Sequence, residues 1–161
     1  MSPPGRPKGE FRSAQREGTP VNEVDPRVQR VRRFYEGLRE TDLPQLDTLY
    51  IGNARFKDPF NDVRGVDAIR AIFAHMFRTL REPRFVVLQA LTQQDQCFLT
   101  WDFHFTPARG GAAMVIHGAT HLRFGSDGRI VEHRDYWDAA EELYEKLPLI
   151  GALMRWLKRR V

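Results

Sequence analysis

The residues best suited to moving a proton stand near the end of the sequence, in the run Arg129-Ile130-Val131-Glu132-His133-Arg134-Asp135-Tyr136-Trp137-Asp138. The run reads as a strand, and residues two apart on a strand project to one face. His133 and Asp135 therefore sit side by side. A carboxylate beside an imidazole can orient it and hold its proton near neutral pH, which is the basis of acid–base chemistry. The same two groups could equally form a satisfied structural pair. Val131 and Trp137 share their face, while Ile130, Glu132, Arg134, Tyr136 and Asp138 take the other. Neither set is simply apolar, so two placements stand open: outward with Tyr136 buried, or inward beside Trp137. Burying the pair without partners would be costly, so an inward placement implies a polar wall in a pocket.

A second group of candidates lies one and two strands earlier. Asp102, His104, His117 and His121 alternate against the apolar residues Leu99, Trp101, Phe103, Phe105, Ile116 and Leu122. The apolar sets should face helices, leaving the three histidines and Asp102 on an outer surface. Their spacing matches no compact metal-ligand pattern, so a polar outer face or a dimer interface is expected rather than a metal site. Cys97 is the only cysteine. That excludes an intramolecular disulfide and a cysteine-rich zinc site, and a small buried hydrophobe is the ordinary use of such a residue. The sequence has no glycine-rich phosphate loop and no nucleophile elbow, so no cofactor is expected.

Several elements must position these residues. Asp25-Pro26 offers an N-cap with proline in the first turn, and Val28, Val31, Phe34, Tyr35 and Leu38 follow at helical spacing. Asp42-Leu43-Pro44 begins a short second helix through Leu49. A short strand over 54–57 ends in the loop Asp58-Pro59-Phe60-Asn61-Asp62, and Val63-Arg64-Gly65 leads on from it. A third helix is expected over 66–80, with Ile69, Ile72, Phe73, Met76 and Leu80 as its apolar stripe and Pro83 beyond its end. Strands over 85–91, 97–105, 113–124 and 129–138, joined by short turns, make an antiparallel meander. Helices set apart from a curved antiparallel sheet define an α+β domain.

The 161 residues suit one domain, and 42% hydrophobic content is enough for a sizeable core. Residues 1–25 hold four of the ten prolines and few large apolar side chains, which predicts a disordered N-terminal tail. The opening MSPPGRPKGEF has no apolar run after its basic residues, so it does not read as a secretory signal, and a cytoplasmic location is expected. The domain proper is expected over 26–146. Of the net +4 charge, Lys146, Arg155, Lys158, Arg159 and Arg160 cluster in 146–161 with no acid among them. The body of the chain is thus close to neutral, which argues against a nucleic-acid partner. Residues 147–161 are expected to form a basic amphipathic helix that either packs over the domain or touches an anionic membrane surface.

The run RFYEGLRETDLPQLDTLYIGNARFKDP, residues 33–59, resembles the start of the ketosteroid isomerases, and THLRFGSDGRIVEHRDYW, residues 120–137, resembles their final hairpin. DPFNDVRGVDAIRAIF, residues 58–73, is similar to the SnoaL-like polyketide cyclases. The resemblance, over about residues 27–139, implies a nuclear transport factor 2-like cone: a curved sheet wrapped around helices, with a hydrophobic pocket. It implies a catalytic base at Asp58 and oxyanion positions at Phe34 and Thr120, which lack the tyrosine and acid that those isomerases use. It also brings Trp137, and with it His133 and Asp135, to the pocket side. Asp58, His133 and Asp135 are then the candidate catalytic set. Phe34, Leu99, Trp101, Phe103, Phe105, Ile116, Thr120 and Trp137 are the candidate lining. The implied function is proton transfer on a small hydrophobic carbonyl-type substrate by a cofactor-independent isomerase, cyclase or dehydratase. The alternatives are a binder of a small hydrophobic ligand and a homodimeric interaction module joined through the outer sheet face.

Overall fold

The computed structural model describes residues 25–139. The expected N-terminal tail and the basic helix of 147–161 lie outside the described residues. The first helix, α1 (Pro26–Glu36), starts where Asp25 caps it: the Arg27 N–H donates to the Asp25 side chain at 2.9 Å, and Pro26 fills the first turn. Its inward stripe is Val28, Val31 and Tyr35, all buried. A 3₁₀ turn (Glu40–Gln45) passes into the one-turn helix α2 (Leu46–Leu49), and this compact corner buries Leu43, Leu46 and Leu49.

Strand β1 (Tyr50–Lys57) begins directly at the end of α2, four residues earlier than the sequence reading placed it. After the Asp58–Asn61 loop, Asp62–Arg64 forms a short strand, β2, paired antiparallel with β1, where a loop leading onward was expected. Gly65, at φ 103°, makes the turn into α3 (Val66–Thr79). That conformation suits glycine because it has no Cβ. The meander follows as β3 (Leu80–Gln93), β4 (Gln96–Pro107), β5 (Met114–Phe124) and β6 (Ile130–Tyr136). β3 starts straight after α3, and Pro83 lies in a register irregularity between Arg81 and Arg84 rather than before the strand.

The six strands form one sheet in the order β2-β1-β6-β5-β4-β3. All neighbours run antiparallel except β1 and β6, which are parallel and bring the start of the domain beside its last strand. The sheet is curved, and α1 and α3 pack on its inner side. The core joins Leu46, Leu49 and Ile69 from the helical side to Leu122, Phe124 and Ile130 from the sheet. Cys97 is fully buried within it, and burial raises its thiol pKa. The fold is the α+β cone of nuclear transport factor 2-like proteins.

Candidate functional site

Between the inner face of the sheet and the two long helices lies a cavity of about 470 Å³. Ligand sites for small molecules fall in the range of about 300–1,000 Å³. Its walls are mostly apolar. Leu99, Trp101, Phe103 and Phe105 line it from β4, and Ile116 and Thr120 from β5. Phe85 stacks on Phe103 at 4.4 Å between ring centres and meets Trp101 edge-on at 5.9 Å, so one wall is continuous aromatic surface. Trp137 lies at the rim with its ring edge-on to Phe60 at 5.3 Å. Phe34 is not part of this lining. It is half-buried beside the core, edge-on to Tyr35 at 5.6 Å, because the stripe that α1 turns inward runs through Val31 to Tyr35.

One wall is polar. β6 turns His133 and Asp135 inward and Arg134 and Tyr136 outward, which selects the pocket-side placement of the pair. His133 Nε2 lies 2.8 Å from Asp135 Oδ1. The same oxygen accepts the Thr120 hydroxyl at 2.5 Å, and Thr120 in turn accepts the Trp101 indole N–H at 2.7 Å. On its other side His133 Nδ1 lies 2.6 Å from the Tyr50 hydroxyl, which is 2.5 Å from the Tyr35 hydroxyl. Six side chains from α1, β1, β4, β5 and β6 thus form one unbroken chain: Tyr35, Tyr50, His133, Asp135, Thr120, Trp101.

Packing holds this chain in place. Tyr50 is fully buried and lies nearly parallel to the His133 ring, while Phe56 covers His133 at 4.7 Å. Burial raises the pKa of both Tyr35 and Tyr50 well above the ordinary phenol value, so each remains a neutral hydroxyl. Trp101 lies across Gly118, its cross-strand partner on β5. A Cβ there would stand 2.3 Å from the indole, so only glycine lets Trp101 reach Thr120.

Asp58 also borders the cavity, but its carboxylate turns to its own loop. Oδ1 accepts the backbone N–H groups of Phe60 at 2.7 Å and Asn61 at 2.6 Å, and the Asn61 amide reaches both oxygens. The position that the isomerase resemblance gives to a base is therefore held by a turn-forming carboxylate. A more open depression outside the rim is shared by Asp58, Asp135 and Trp137, so the two acids meet at one mouth without bonding. On the outer face His117 pairs with Asp102 at 2.6 Å, and His121 stacks on Phe98 and contacts the Gln96 amide.

Tyr35 and Tyr50 escaped the sequence reading as site residues. The signal was present for Tyr35, four residues after buried Val31 and therefore on the inward stripe. Nothing local marks Tyr50, whose hydroxyl meets His133 only through the parallel pairing of β1 with β6.

A family model for the SnoaL-like domain matches residues 31–133, more than half of the chain. No curated protein matches. Among solved structures, a nuclear transport factor 2-like protein of unknown function from Burkholderia pseudomallei is 21% identical with a TM-score of 0.65, over 73% of this chain and 95% of that one. TsrD from Streptomyces laurentii is 21% identical with a TM-score of 0.65, over 81% and 99%. A protein from Shewanella putrefaciens described as a SnoaL-like polyketide cyclase is 19% identical with a TM-score of 0.64, over 75% and 98%. These likenesses concern the fold, and the family model places the chain itself: it is a member of the SnoaL-like domain family.

Proposed function

We propose that the chain is a cofactor-independent isomerase or lyase, of the cyclase or dehydratase kind, that moves a proton on a small, mostly apolar carbonyl compound. The observation that carries this reading is Asp135. Its Oδ1 is fixed by Thr120 and His133, while its Oδ2 accepts no hydrogen bond among the described residues. A carboxylate on an apolar cavity wall, held on one side and open on the other, suits a general base. Asp135 Oδ2 would take the proton from the carbon next to the carbonyl, leaving an enolate and a carboxylic acid. Return of the proton to another carbon completes an isomerisation; loss of a neighbouring hydroxyl, protonated by the same acid, completes a dehydration. His133 is the positioning partner of this base, and Asp58 shapes the mouth.

Exchange of the α-hydrogens of 6-hydroxy-2-tetralone, which carries a phenolic O–H as well as the ketone, in deuterated water, followed by NMR, tests the reading without a known substrate. The protein should accelerate exchange, and Asp135→Asn should reduce that acceleration by about 100-fold, the lower range for a general base. Binding of the ketone with no accelerated exchange would instead leave the second reading, a non-catalytic binder. One observation favours that alternative: the Thr120 hydroxyl, at an oxyanion position of the isomerases, already donates to Asp135.

A further inference from the structure

Hydrogen counting along the polar wall says what kind of group the cavity can receive. The indole of Trp101 is a donor only, so Thr120 accepts from it and sends its own hydrogen to Asp135 Oδ1. His133 reaches the same oxygen through Nε2–H. With the imidazole neutral, the state on which the inference is built, only an acceptor is left at Nδ1. In that state Tyr50 gives its single hydrogen to Nδ1, and Tyr35 gives its own to Tyr50. Every hydrogen in the chain is committed, and all run toward the carboxylate. What this chain leaves open to the cavity is a lone pair on the Tyr35 hydroxyl oxygen and the Asp135 Oδ2.

We infer that the inner wall offers ligands only hydrogen-bond acceptors, and that the part of the cavity it faces therefore selects apolar molecules carrying a hydroxyl, phenolic or enolic O–H, with Tyr35 as a residue that determines specificity; His75 and Thr79, which also border the cavity, are carried by α3 and not by this wall. This rests on reading the cavity as a small-molecule site and narrows the proposed substrate to hydroxylated or enolic carbonyl compounds. It also differs from an oxyanion hole, which needs uncommitted donors at the same place. An acceptor-only ligand facing this wall would lose its water hydrogen bonds and gain none. An O–H group keeps its donor satisfied.

Three probes of similar size separate the outcomes: 2-naphthol with a donor, 2-methoxynaphthalene without one, and 1-tetralone as an acceptor. Isothermal titration at neutral pH should give 2-naphthol at least about 10-fold tighter binding than either of the others, the factor that about 1.4 kcal/mol supplies. Tyr35→Phe, which keeps the ring and removes the oxygen, should cut that preference several-fold. Equal affinity for 2-naphthol and 2-methoxynaphthalene overturns the inference while leaving the cavity a ligand site. Tighter binding of 1-tetralone also overturns it, since it would require the hydrogen chain to run the other way from an imidazolium. If no probe binds, both the inference and the small-molecule reading of the cavity fail.

Discussion

A buried phenol is a neutral donor only while its proton stays on, and Tyr50 has no water to help it ionise. Burial raises its pKa, with the neighbouring phenol and Asp135 pushing the same way. Folded Tyr50 therefore holds its proton in a range where the unfolded chain, with an ordinary phenol value of about 10, releases it. The unfolded state then binds fewer protons, so stability must fall as pH rises above about 10. Tyr35 adds to this with the same sign. Each such group contributes a slope of up to about 1.4 kcal/mol per pH unit. Chemical denaturation at pH 9 and pH 11 should show Tyr50→Phe losing less stability over that interval than wild type, although it starts lower for want of the bond to His133. Equal losses would mean that Tyr50 ionises freely and is not enclosed as described. At this scale the pairing of His133 with Asp135 was legible from their two-residue spacing alone. The tyrosines were not, because their contacts depend on which helical residue faces inward and on a side-chain contact across 83 positions that the pairing of β1 with β6 brings about.

Elements decide which of the two acids can act as a base. Asp58 follows β1, and three donors from Phe60 and Asn61 converge on its Oδ1. Aspartate commonly stabilises a turn by accepting backbone N–H groups a few residues on. Asp58→Ala should therefore cost about 1–2 kcal/mol in denaturant unfolding, since the Phe60 and Asn61 amides lose their acceptor. Unchanged stability together with collapsed α-hydrogen exchange would return Asp58 to the role that the isomerase resemblance gave it. The order of helices and strands was readable because each has strong local marks: the Asp25-Pro26 cap, the apolar stripe of α3, and the alternation of β4 and β5. β2 was missed because three residues carry too little periodicity to stand out, and it exists only by pairing with β1. Position-by-position transfer from the isomerases placed Phe34 in the pocket. The helix instead presents Tyr35, one step of about 100° away.

At the scale of the whole molecule, the outer face of the sheet presents apolar side chains that no other described residue covers. Across the outer sheet face the register sets Leu91 beside Phe98, Phe98 beside His121, and His121 beside Arg134. Leu91 is 74% exposed and Phe98 51%. Tyr136, under the Arg134 guanidinium at 4.9 Å, extends the patch. Exposed apolar patches of this kind mark interaction surfaces. We propose a second copy of the chain as the occupant, on grounds of charge. Four residues along each strand, on the same face, lie Asp102 and His117, with the small residues Thr100 and Ala119 between the two rows. A two-fold axis through those small residues would set the basic, apolar row of one copy against the Asp102 row of the other, and the surface would be complementary to itself as such symmetry requires. A stable interface of standard size buries about 800 Å² on each partner. Light scattering coupled to gel filtration should therefore give a dimer for the wild type and a monomer for the double variant Leu91→Glu, Phe98→Glu. The substitutions lie on the face away from the cavity, so binding of 2-naphthol should survive them. A wild-type monomer at tens of micromolar, or a dimer that persists in the double variant, would remove this face as the contact.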